Sequence, residues 1–169
     1  LVDARRSDAT VPADWQARLQ ASAGERAARQ SAMQQAYAAL RASDPYWQVQ
    51  WSADGAPALV EHRRGPLTPA STRSSIDIVR EFLSAQRALY GLSDADLASL
   101  HVLGDSPGGR SGLRMLRIEQ QLRGWPVFGT ETRCLLDPQG RLWRTLGSLM
   151  PELATGAASA DGAQRPLTE

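Results

Sequence analysis

Apolar and polar positions alternate from Tyr46 to Trp51, with Trp47, Val49 and Trp51 on one side and Gln48 and Gln50 on the other. That period of two predicts a half-buried strand. Ala53-Asp54-Gly55-Ala56 supplies turn chemistry, and Pro57 to Glu61 reads as the returning strand of a hairpin. The same alternation governs the last third of the chain, where Leu116, Ile118, Gln120 and Leu122 fall on one face and Arg117, Glu119, Gln121 and Arg123 on the other. Strands are predicted there at 113–123, 127–136 and 142–149, joined by turns at Gly124-Trp125-Pro126 and Asp137-Pro138-Gln139-Gly140.

Elsewhere the period is helical. Residues 12–42 are rich in Ala, Gln, Arg and Glu, with Trp15 and Leu19 four apart and Met33, Tyr37 and Leu40 at helical spacing. This predicts one amphipathic helix or two, since Gly24 interrupts the run and Ser22 with Glu25 has the spacing of a capping box. A further helix is predicted over 75–90, started by Ser74 or Ser75, with Ile78, Val79, Phe82, Leu83, Leu89 and Tyr90 on its apolar face. Gly91-Leu92 has the form of a left-handed cap, and Ser93 to Leu97 that of a short helical turn before a strand at 100–103. The segments 63–71 and 104–109, dense in Gly and Pro, read as loops.

These elements predict an α+β domain, cystatin-like, with a helix packed on an antiparallel sheet meander and an extra helical segment at the N-terminus. Three stretches follow: a lead-in and helical segment over 1–43, the α+β domain over 44–150, and an Ala, Gly, Thr and Ser-rich linker over 151–169. The start at Leu1 suggests a trimmed or cut product.

Composition narrows the chemistry. All 19 basic residues are Arg, against 18 acidic ones, and the formal net charge is +1. Without Lys there is neither a P-loop nor a Schiff-base amine. His62 and His101 stand 39 positions apart in sequence, outside any metal-binding spacing, and no Gly-x-Ser-x-Gly elbow accompanies them. Asp94 and Asp96 lie where helix starts recruit acids, so capping accounts for them. The single cysteine, Cys134, forms no intramolecular disulfide and reads as a small core residue. No run of about 18 apolar residues is present to span a membrane. The strands of the last third carry a local excess of Arg near Trp125 and Trp143. A solvated face accounts for this excess better than single-stranded nucleic acid, and an acidic partner stays open.

The stretch Arg117-Ile118-Glu119-Gln120-Gln121-Leu122-Arg123-Gly124-Trp125-Pro126-Val127-Phe128-Gly129, then Leu135 to Leu142 with its Asp-Pro-Gln-Gly turn, then Gly147-Ser148-Leu149-Met150-Pro151, resembles the fungalysin/thermolysin propeptide domain. Upstream, Val49 to Leu59, Leu67-Thr68 and Phe82-Leu83 with Tyr90-Gly91-Leu92 follow in the family's order, and the hairpin is more similar to the fungalysin branch. Leu122, where an aromatic is common, and the bulky Trp125 depart from the pattern. The motif positions are Arg117, Gln120, Gly124, Pro126, Val127, Gly129, Asp137 and Gly140, in structural or interface roles.

The resemblance implies a secreted or periplasmic propeptide module, itself non-catalytic, that chaperones and inhibits a zinc metallopeptidase. Its partners would be the catalytic domain, which holds the zinc, and a second propeptide domain. Neither nucleic acid nor a membrane is implied, and this chain needs no cofactor. The alternative is a stand-alone cystatin-like binding or inhibitor module acting in trans.

Overall fold

The computed structural model describes residues 13–153, with side chains from residue 20 onward. Ala13–Ser43 forms one helix, α1. It runs through Gly24, so no second helix starts at Ser22. An added Cβ at Gly24 would meet nothing within 4 Å, and residues 20–28 are exposed, so neither packing nor strain forces a break. Only later does α1 reach the body, through buried Met33 and half-buried Tyr37 and Leu40. The side chains of Trp15 and Leu19, and residues 154–169 of the linker expected over 151–169, lie outside the described residues.

The hairpin forms as its alternation predicts, with β1 at Trp47–Trp51 and β2 at Pro57–His62 pairing antiparallel. Ser74 opens α2 (Ser75–Ala85), its hydroxyl accepting from the Asp77 amide. The predicted 75–90 helix is divided at Gln86, and α3 (Arg87–Tyr90) completes it. Gly91, at φ 67°, is the left-handed cap expected from the sequence. A capping box between Ser93 and Asp96 then starts α4 (Asp94–Ala98).

Three strand boundaries differ from expectation. β3 runs over Leu100–Gly108, so most of the predicted 104–109 loop is strand. Its pairing with β4 (Leu113–Leu122) supplies the ladder that local composition argues against. Pro107 is tolerated because β3 lies at a sheet edge, where a missing N–H costs little. The predicted 127–136 strand shrinks to β6 (Thr132–Leu136), preceded by the two-residue β5 (Trp125–Pro126). β7 (Leu142–Leu146) stops short of Leu149 because Gly147 takes φ 122°, which leaves no extended path.

All seven strands pair antiparallel in one open sheet of order β1-β2-β7-β6-β4-β3, with β5 alongside β4. The connection from β2 to β3 carries α2, α3 and α4. Phe82, Leu83, Leu89 and Tyr90 from this connection bury against Val60, Leu116, Ile118, Cys134, Leu136 and Leu142 of the sheet. Cys134 is a core residue, and burial pushes its thiol pKa up to about 12, so it stays protonated at neutral pH. The Tyr90 hydroxyl is satisfied by Thr145 at 2.7 Å.

Candidate interaction surface

Of the residues singled out by the resemblance, Arg117 pairs with Arg133 inside β6 and the others lie beyond its two ends. At one end β4 turns back through Arg123 (φ 53°) and Gly124 (φ 83°), two positive φ values in succession, as in a type I′ hairpin. The reversal thus centres on Arg123-Gly124 and not on Gly124-Trp125-Pro126; Leu122 pairs with Trp125, and Gln121 with Pro126. An added Cβ at Gly124 would meet no atom within 4 Å, so its cost is backbone strain alone. Gly124→Val should lower stability by about 1 kcal/mol, read as a shift in urea midpoint.

Beyond the turn, the Val127 amide donates to the Gln120 carbonyl (2.9 Å). The Thr130 hydroxyl donates to the Val127 carbonyl (2.8 Å) and accepts the Gln120 amide (3.0 Å). Gly129 takes φ 81° within this loop. Val127 is half-buried, while Pro126 is exposed. The result is a tied-down tip that holds two aromatic side chains in solvent: Trp125 is 76% exposed and Phe128 is 99% exposed. The sequence places both within the resembling stretch but at no motif position, with Trp125 as a departure from the pattern beside the Arg-rich strands. The available signal was two large aromatics framed by Gly124, Pro126 and Gly129, in a segment too short to bury them.

The solvent face of the sheet continues from this tip. Arg117 and Arg133 each place Nε 3.2 Å from one Glu131 carboxylate oxygen. The hydrogen bond from Arg133, with support from Arg117, outweighs the effect of desolvation and holds the Glu131 pKa below the usual carboxylate range. Exposed Leu146 pairs with Arg133, and exposed Met115 lies two residues from Arg117 along β4. The polar-face assignment of Arg117 made from alternation therefore holds.

At the other end of β6, Asp137 is buried and accepts from the Arg141 Nε (2.7 Å), the Trp143 indole (2.9 Å) and the amides of Gln139 and Arg141 (3.0 Å each). Desolvation pushes its pKa up, but these bonds and the Arg141 charge together leave it below the ordinary carboxylate value. Its ionised form therefore favours the fold at neutral pH. Stability should be full above about pH 5 and fall as pH drops through about 4 and lower, where the unfolded chain takes up the proton first. Asp137→Asn should flatten that acid limb in pH-dependent urea melts.

Gln120 faces the core, as its phase in β4 predicts, and is 0% exposed. Its side-chain amide donates to the Met150 carbonyl (2.9 Å) and accepts the Met150 amide (2.7 Å). Asp96 continues the clamp, accepting the Glu152 and Leu153 amides at 2.9 Å each. The sequence showed Asp96 only as a helix cap; its second task depends on a segment 56 residues away and carries no local signal.

Among the described residues no group of three or more His, Cys, Asp or Glu side chains is placed to hold a metal ion. His101 is exposed, and His62 pairs with Asp44 at 2.9 Å. The chain matches no family model, no curated protein and no solved structure. The candidate surface is thus defined by geometry: a hydrogen-bonded tip with two exposed aromatics beside an Arg-bearing sheet face.

Proposed function

We propose that this chain is a propeptide module that helps a secreted zinc metallopeptidase to fold and holds it inactive until cleavage. The observation that carries this reading is the aromatic tip at Trp125 and Phe128, built inside the segment most similar to the fungalysin/thermolysin propeptide domain. Exposed aromatics on a hydrogen-bonded tip are preorganised to fill a pocket on a partner, because little loop entropy is lost on docking. The α2 helix against an antiparallel sheet is the arrangement that a cystatin-like fold of this family would use.

A module that binds the folded peptidase but not its unfolded chain stabilises it by mass action, and covalent tethering raises its effective concentration. In this reading the zinc belongs to the catalytic domain, a second propeptide domain lies between, and the precursor is exported or periplasmic. This chain contributes no catalytic group, and nucleic acid and membrane are not its partners. The stand-alone inhibitor acting in trans would use the same tip.

Adding the chain to a mature fungalysin-type zinc metallopeptidase should slow peptide cleavage saturably. It should also raise the yield of active enzyme on refolding from denaturant. Unchanged activity together with unchanged yield would overturn the proposal.

A further inference from the structure

A second surface feature lies away from the tip, where the last turns of α1 meet the open end of the β1–β2 hairpin. A groove of about 550 Å³ there is lined by Tyr37 and Arg41 of α1, by Tyr46 and Trp47 at the start of β1, and by Arg63 and Arg64 just past β2. Most described arginines are engaged: eight form ion pairs, namely Arg29, Arg73, Arg87, Arg114, Arg117, Arg133, Arg141 and Arg144. Arg80 donates to the Leu100 carbonyl. Among the described residues, Arg26, Arg41, Arg63, Arg64 and Arg110 have guanidinium groups with neither an ion pair nor a hydrogen bond, and three of these five line the one groove.

Two of the three arginines lie against aromatic rings of the groove. The Arg64 guanidinium lies 3.6 Å from the Tyr46 ring centroid, and Arg41 lies 6.0 Å from that of Tyr37. At 3.6 Å, stacking holds the plane of the Arg64 guanidinium while leaving its edge N–H groups free to donate. The Tyr37 hydroxyl donates to the Trp47 carbonyl at 3.4 Å, and the Trp47 ring stacks on the core residue Phe82. The nearest carboxylate, Asp44, accepts from the Tyr46 amide (3.0 Å) and faces His62 Nε2 (2.9 Å). Although Arg64 feels its charge, Asp44 does not line the groove, and each of its oxygens already has one partner.

We infer that this groove is a binding site for an acidic peptide segment, with Arg41, Arg63 and Arg64 receiving its carboxylates and the tyrosine rings its intervening apolar side chains. Charge complementarity selects the anion, since unpaired guanidinium groups prefer carboxylate in a fork geometry. The three arginines are exposed and the groove is open to solvent, so it would cover a small molecule poorly. A chain lying across it makes use of all three charges at once. This inference stands independently of the pro-region reading, because it involves neither the tip nor a peptidase.

The test is a titration of the isotope-labelled chain with acetyl-Glu-Leu-Glu-Leu-Glu-Leu-amide, followed by amide shifts and arginine Nε–H signals in two-dimensional NMR. Saturable shifts confined to residues 37–48 and 62–65 are expected, with affinity falling at least tenfold in R41Q/R63Q/R64Q. Each arginine is exposed, so the variant's spectrum should otherwise match the parent's; the three single variants, each weaker than the parent, serve if it does not. The Gln-for-Glu peptide should leave the spectrum unchanged, and 0.5 M salt should weaken binding. Absence of saturable shifts, equal response to the Gln peptide, or undiminished binding in the arginine variants would overturn the assignment. Displacement by inorganic phosphate at equal concentration would also overturn it, by showing a general anion site.

Discussion

Replacing Gly140 by alanine is expected to destabilise the protein by about 3 kcal/mol or more, a loss large enough to remove the cooperative thermal transition of a marginal domain. Two costs add at this position. The backbone holds φ 70°, which a Cβ disfavours, and an ideal Cβ would sit 2.1 Å from the Ser71 carbonyl oxygen. The oxygen cannot easily retreat, because the strap that carries it is bonded to the sheet. The Ser71 amide donates to the Gln139 carbonyl (3.0 Å), and the Leu142 amide to the Thr68 hydroxyl (2.9 Å). Gly124→Ala, at a similar φ but in open space, is the matched control and should cost far less. Equal urea midpoints for the two variants would show that the close approach is not a constraint.

Gln120→Leu is expected to cost about 2 to 4 kcal/mol, although the substitution puts an apolar side chain of similar bulk in the core. The loss arises because the side-chain amide of Gln120 exchanges two hydrogen bonds with the Met150 backbone, and a leucine leaves both of those groups without their partner. The consequence is local as well as global. Residues 149–153 are held by this clamp, by Asp96 and by an ion pair from Arg29 to Glu152, with Leu149 and Leu153 buried beneath. Hydrogen exchange at Met150, Glu152 and Leu153 should therefore accelerate more than at the central strands. Uniform protection in the variant would contradict the role given to Gln120.

Much of this was legible because burial imposes a period. The alternation over β4 placed Gln120 inward and Arg117 outward, and the helical spacing of Ile78, Val79, Phe82, Leu83, Leu89 and Tyr90 selected the face that packs on the sheet. Glycines that must take positive φ, such as Gly91 and Gly124, were visible because their neighbours end an element. What escaped depends on partners distant in sequence. β3 extends through Gly104 and Pro107 because β4 supplies its ladder, and no window around Pro107 contains that information. Likewise the 127–136 segment has strand composition, yet Val127 to Glu131 closes on Gln120 through the Val127 amide and the Thr130 hydroxyl instead. Gly140 was marked as a motif position, but the reason it must be glycine is Ser71, far away across the strap.

In the proposed function, the tip formed by Trp125 and Phe128 docks on a metallopeptidase. Its most direct test compares the parent chain with Trp125→Ser/Phe128→Ser as inhibitors of a mature fungalysin-type enzyme. Both side chains are largely free of intramolecular packing, so the melting temperature should stay within a few degrees of the parent's. Inhibition should weaken at least tenfold, as expected when two aromatic anchors leave an interface. Undiminished inhibition by the folded variant would contradict the account.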